Sequence, residues 1–204
     1  MKKVKLEQGK YYHLYNRGNN SQPIFFETKN YEHFLMLMAR YIEPIAEIYA
    51  WALMKNHFHL LVYLKKDVEI DFKKLKYTST DKPKVFSVSK QFSNWFSAYT
   101  LAINKMYGRT GSVFEKNLER KWIDNEKYLL NVIYYINYNP VKHKIVNHPM
   151  DYPWSSYLGS ISEKPTKLQR EKIIQIFGSK QHFEKYHLQD QMTAAIDHLL
   201  FDDV

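Results

Sequence analysis

Apolar positions along this chain fall into a few regular runs, and the spacing within them changes from one run to the next. Tyr11-Tyr12-His13-Leu14-Tyr15 has the aromatic enrichment of a strand and ends at the turn-forming Asn16-Arg17-Gly18-Asn19-Asn20. From Asn30 onward, Tyr31, Phe34, Leu35, Met38 and Ile42 recur at helical spacing, which predicts a helix ending near Pro44. Ile48 to Met54 and His57 to Leu64 flank Lys55-Asn56 and read as a hairpin. Lys65 to Ser87 is Lys-rich and without period, so an exposed excursion is expected there. Phe92, Trp95, Phe96, Tyr99, Ile103 and Met106 line one face of a helix over 89–106, broken at Tyr107-Gly108-Arg109-Thr110-Gly111. A strand is expected around 118–123. Asn125 then caps a helix over 126–138, with Asn139-Pro140 as its stop. Helical patterns return at 168–177 and 191–201. No repeat is visible, and few strands interleaved with helices argue an α+β sandwich over a parallel α/β sheet.

Composition narrows the class. With 204 residues one domain is the default, and 45% hydrophobic with 16% aromatic content supplies a core and excludes disorder. No apolar run approaches the roughly 20 residues of a membrane span. The basic start, Met1-Lys2-Lys3-Val4-Lys5, leads into polar Glu7-Gln8-Gly9-Lys10 and not a signal-peptide core, so a soluble, cytoplasmic protein without membrane contact is expected. The absence of Cys excludes disulfides, thiolate metal sites and cysteine nucleophiles. Lys and Arg number 30 against 21 Asp and Glu, a net +9, which together with 17 Tyr favours nucleic acid as partner. Many bacterial housekeeping proteins are equally basic, so charge alone leaves the partner open.

Three constellations carry candidate chemistry. His57-Phe58-His59 lies on an expected strand, where side chains two apart leave the same face, about 6–7 Å along the strand. Two such imidazoles can clasp one divalent metal, although a lone His-x-His is also common as exposed or hydrogen-bonded His. Tyr135 and Asn139 are one helical turn apart, at the end of the expected helix. The amide oxygen of Asn139 is a hard ligand suited to complete a two-His site for Mg²⁺ or Mn²⁺. Tyr135 beside it can become a covalent nucleophile if a metal polarises the electrophile. Against this, Tyr at helical spacing usually packs and Asn before Pro is a common helix stop. Third, basic residues interleave with aromatics at Arg17, Lys55, Lys105, Arg109, Arg120-Lys121-Trp122 and Lys142-His143-Lys144, which suits phosphate contacts and stacking.

Taken together these residues resemble the single-tyrosine HUH transposases of small bacterial insertion sequences, and within them the REP-associated tyrosine transposases. The resemblance runs through Tyr12-His13-Leu14-Tyr15-Asn16-Arg17-Gly18-Asn19, the strand Trp51 to Val62, Tyr107 to Glu115, Tyr135-Ile136-Asn137-Tyr138-Asn139-Pro140-Val141, and Asp151 to Tyr157. No one of these motifs is specific, but five in the family's order are. The resemblance implies a ferredoxin-like or RRM-like sandwich, an antiparallel sheet flanked by helices, over 1–158, with a helical C-terminal extension over 159–204. It implies His57, His59 and Asn139 as ligands of Mg²⁺ or Mn²⁺ and Tyr135 as nucleophile. It further implies cleavage and rejoining of hairpin-bearing single-stranded DNA through a 5′-phosphotyrosine. Arg17, Lys55, Arg109, Arg120, Lys121 and Lys142 are the expected DNA contacts. Relatives often carry Arg soon after the Phe-Glu step, where this chain has Lys116-Asn117. A domesticated hairpin-binding protein without cleavage, and a metal-dependent hydrolase without a covalent intermediate, remain alternatives; monomer and homodimer are both open.

Overall fold

The computed structural model describes residues 4–75 and 86–188. Strands β1 (Tyr11–Arg17), β2 (Ala46–Met54), β3 (His57–Leu64) and β4 (Glu119–Ile123) form one antiparallel sheet in the order β2-β3-β1-β4. Helix α1 (Thr28–Tyr41) joins β1 to β2, and α2 (Val88–Tyr107) lies between β3 and β4. This is the split β-α-β arrangement of ferredoxin-like sandwiches. Helices α3 (Glu126–Lys142), α4 (Tyr157–Ile161), α5 (Arg170–Phe177) and α6 (Lys180–Leu188) follow.

Alternation along the strands assigns each face. On one, Tyr12, Leu14, Phe58, Leu60 and Val62 are buried beneath α1 and α2. There the Phe58 ring lies 5.2 Å from Phe34 and 5.8 Å from Trp95. Tyr99 belongs to this core, and its hydroxyl donates to the Ile24 carbonyl at 2.9 Å. On the other face α3 crosses β2 and β3. Its residues Val132 to Ile136 are all buried, as expected of a helix covered on most sides. The sheet covers one side and α5 and α6 contact the other.

The expected hairpin and the helices α1 and α2 are all present. Four differences have physical reasons. Asn139-Pro140 does not stop α3, which runs on to Lys142. Pro inside a helix loses its own N–H bond and crowds the carbonyl one turn back, at a cost of about 3 kcal/mol; here Pro140 is buried, and His143 N still donates to Asn139 O at 3.0 Å. The first part of the Lys65 to Ser87 stretch is not a free excursion: Ile70 and Leu75 are buried, and Lys65 Nζ donates to the Glu43 carbonyl at 2.7 Å. Met106 is exposed, outside the α2 core stripe. Helix α6 escaped sequence reading because its short run offers only Phe183 and His187 as buried positions. Residues 76–85 and the expected 191–201 helix lie outside the described residues. Among the described residues no helix is long and apolar enough to cross a membrane.

Candidate active site

The hairpin β2-β3 and helix α3 bring the predicted residues together. By strand alternation His57 and His59 face α3, and Tyr15 and Arg17 of β1 stand opposite them in register. The Tyr135 ring lies 5.4 Å from that of His59, edge-on, and one turn beyond Asn139 the His143 ring lies 5.3 Å from His57. Residues 135, 139 and 143 share one helix face. Asn139, between two positions that each touch a histidine of the pair, therefore faces the same pair.

Asn139 is fully buried, and neither its amide oxygen nor its amide nitrogen has a hydrogen-bond partner. Among the described residues it is the one side chain with both polar atoms in that state. Leaving a buried amide unsatisfied costs about 1–3 kcal/mol, so such a group calls for a partner, such as a water, an ion or a ligand. The ring of His57 is oriented by its Nδ1, 2.8 Å from Asn56 Oδ1. An amide oxygen only accepts, so the proton sits on Nδ1 and Nε2 is the nitrogen for coordination. No three His, Cys, Asp or Glu side chains gather as a metal cluster among the described residues. A metal here would need the Asn139 amide oxygen as third ligand, and the two histidines with that orphaned amide offer two nitrogen donors and one oxygen donor to a divalent ion.

Electrostatics keep the imidazoles of His59 and His13 neutral. Burial first, then the neighbouring His13, His57, His143 and Lys142, push His59 well below the ordinary histidine range. His13 is held at about 3 by burial and by the Lys121 charge. Neutral imidazole is the form that binds metal.

Sequence reasoning missed three members of the site. His13 of β1 sits with its ring 5.1 Å from His59 and 5.9 Å from Tyr135. Tyr15 stacks on His59 at 5.9 Å. His143 was read only as part of a basic run. The signal for the first two was present, since Tyr11, His13, Tyr15 and Arg17 share one strand face; pairing of β1 with β3 was the missing fact.

The six basic candidates do not form one patch. Lys142 Nζ lies over the Tyr135 ring at 5.6 Å, and Lys121 pairs with His13 across β4 and β1. Arg17 ends β1 opposite His57, with Nε donating to Glu115 Oε1 at 2.5 Å. Lys55 is exposed in the hairpin turn beside Asn56. Arg109 packs over Phe26 at 5.6 Å, beyond α2. Arg120, opposite Leu14, lies on the α1–α2 face and lines a cavity of about 610 Å³ with Phe96, Ser97 and Lys116.

The Arg17–Glu115 pair also explains two of the sequence motifs. Glu115 N donates to Arg17 O at 2.9 Å, Asn19 N to Val113 O at 3.0 Å, and Asn16 Nδ2 to Glu115 O at 3.2 Å. The segment at 16–19 thereby clamps the segment at 113–115 beside the site.

No protein-family model matches the chain, and no curated protein sequence does. Among solved structures, a REP-associated tyrosine transposase bound to a REP hairpin aligns over 81% of this chain and 89% of its own, with a TM-score of 0.61 and 18% identity. A bacterial tRNA(His) guanylyltransferase-like protein in complex with GTP aligns over 70% and 68%, at 11% identity and a TM-score of 0.44, too remote to bear on function. The chain thus has the fold of a REP-associated tyrosine transposase, with His57, His59, Tyr135 and Asn139 gathered on one face of its sheet.

Proposed function

We propose that this protein is a REP-associated tyrosine transposase-like enzyme that cleaves and rejoins hairpin-bearing single-stranded DNA. Residues 1–158 form the strand-transfer domain and the segment from 159 onward its extension, helical over α5 and α6 among the described residues. The observation that carries the reading is the single helix face on which Tyr135, the orphaned Asn139 amide and His143 lie against His57 and His59. His57, His59 and Asn139 would hold Mg²⁺ or Mn²⁺. When bound, such an ion polarises a phosphodiester oxygen. Tyr135 releases its phenolic proton to solvent and its oxygen bonds to phosphorus, while the bond to the 3′ oxygen breaks and that oxygen takes a proton from solvent, so no net proton is gained or lost. The products are a 5′-phosphotyrosine and a 3′-hydroxyl, so the phosphodiester energy is kept for rejoining. The Lys142 ammonium lies over the Tyr135 ring at 5.6 Å, placed to meet the charge that develops on the phosphate under attack. Arg17, Lys55, Lys121 and Lys142 contact phosphates near the cut, and Arg109 and Arg120 contact more distant parts of the DNA.

The test is incubation of labelled hairpin-bearing single-stranded DNA with the full chain and Mg²⁺ or Mn²⁺. A denaturation-resistant adduct is expected, lost in Tyr135→Phe and in His57→Ala and retained in Tyr99→Phe. Adduct that persists in Tyr135→Phe contradicts the nucleophile assignment. One observation favours a second reading, a hairpin-binding protein without cleavage: Tyr135 is only 1% exposed and has to be uncovered before it can attack. Tight hairpin binding with no adduct in the parent chain supports that reading.

A further inference from the structure

We propose that His13 is a positioning residue for His59, fixing which ring nitrogen of His59 carries the proton; this rests on the metal-site reading above. Nε2 of His13 lies 3.0 Å from Nδ1 of His59, and both residues are buried. That separation is within hydrogen-bond range, so one ring donates and the other accepts. If His13 donates, neutral His59 carries its own proton on Nε2, and both of its nitrogens are then closed to a metal. If His59 donates from Nδ1, its Nε2 keeps the lone pair that coordination needs. Only the second arrangement is compatible with His59 as a ligand.

The two histidines of the pair thereby reach the same tautomer by different means. His57 donates from Nδ1 to the Asn56 amide within its own hairpin. His59, in the middle of the sheet, has no polar turn residue beside it and uses an imidazole from the adjacent strand. An imidazole in a buried strand position costs desolvation that an aliphatic residue would avoid. The bond to His59 is what gives that residue a purpose at position 13. Metal-ligating histidines are commonly held this way through the ring nitrogen that does not bind metal.

The experiment measures Mn²⁺ binding to the full chain by calorimetry, without DNA. His59→Ala is expected to abolish binding, and His13→Ala to weaken it about 10- to 100-fold. His13→Gln, whose amide oxygen accepts from Nδ1–H, is expected to restore most of that loss. Wild-type affinity in His13→Ala, or equal losses in His13→Ala and His13→Gln, overturns the inference while leaving the metal site intact. Mn²⁺ binding that survives His59→Ala overturns the metal-site reading itself. If His13→Ala does not fold, the ¹⁵N imidazole spectrum of the unsubstituted protein with Mg²⁺ decides. A proton on Nδ1 of His59 supports the inference, and a proton on Nε2 contradicts it.

Discussion

Ser156 Oγ donates to Asn137 Oδ1 at 2.7 Å, tying the segment after α3 to the helix turn that carries Tyr135 and Asn139. The same hydroxyl accepts from Trp51 N at 3.0 Å, and Ser156 N returns a bond to Trp51 O at 2.8 Å. Asn137 Nδ2 faces His187 Nε2 at 3.5 Å. Strand β2, helix α3 and helix α6 therefore meet at one buried polar chain. It fixes the rotation of α3, and with it the face turned toward His57 and His59.

Ser156→Ala removes the shared hydroxyl and leaves Trp51 N and Asn137 Oδ1 short of a partner. The expected loss is about 2 kcal/mol, seen as a lower urea midpoint with unchanged slope. An unchanged midpoint contradicts the role given to this chain of bonds.

Acid should weaken the fold through His187. Burial pulls this residue down from 6.5 to about 4, and its Nδ1 donates to the Phe183 carbonyl at 2.8 Å. Between pH 6.5 and 4 the unfolded chain binds a proton that the folded chain refuses. Stability is therefore full above about pH 6.5, falls as pH drops through this window, and levels below about 4. At pH 5 the loss is on the order of 2 kcal/mol from this residue. His187→Phe should flatten part of the slope between pH 7 and pH 5 in urea titrations; His13 and His59 are shifted in the same direction and add to the slope that remains.

Gly18 permits the clamp beside the site. A Cβ on this residue would stand 1.8 Å from the Gln22 carbonyl oxygen, so the backbone has to move to admit one. Gly18→Ala is expected to cost at least about 2 kcal/mol in thermal or urea unfolding. It should also weaken hairpin binding by fluorescence anisotropy, because Arg17 and Glu115 are held by the same turn. Wild-type stability would contradict the close approach.

The division of basic residues between faces makes a kinetic prediction. Lys142→Ala should slow adduct formation at saturating DNA at least about tenfold, since its ammonium lies beside Tyr135. Arg120→Ala, on the opposite face, should leave the saturated rate unchanged and weaken binding, with the salt slope reduced by about one. The reverse pattern places the DNA cut on the other side of the sheet.

Much of this arrangement was legible in the chain. The His57-Phe58-His59 alternation predicted that both histidines would leave the same face of the sheet, and they do, while Phe58 enters the aromatic core on the other. Tyr135 and Asn139 were visible as a one-turn pair. What sequence could not supply was long-range pairing. His13 reaches His59 only because β1 inserts between β3 and β4, and no local pattern encodes that strand order. The end of α3 was misjudged for a related reason. Local chemistry says that Asn-Pro stops a helix, whereas burial of Pro140 against the rest of the molecule carries the helix one turn further to Lys142 and His143. The six basic residues looked like one population in sequence and divide between two faces once the β4 register is known.

Peptide mapping of the protein–DNA adduct by mass spectrometry identifies the nucleophile, which we propose is Tyr135. The full chain is incubated with hairpin-bearing single-stranded DNA and Mn²⁺, then digested with protease and nuclease. A nucleotide 5′-phosphate mass is expected on the peptide containing Tyr135, localised to that residue and not to Tyr134 or Tyr138. A nucleotide on Tyr15, whose ring also stacks on His59, or cleaved DNA with free 5′-phosphates and no modified peptide, contradicts it.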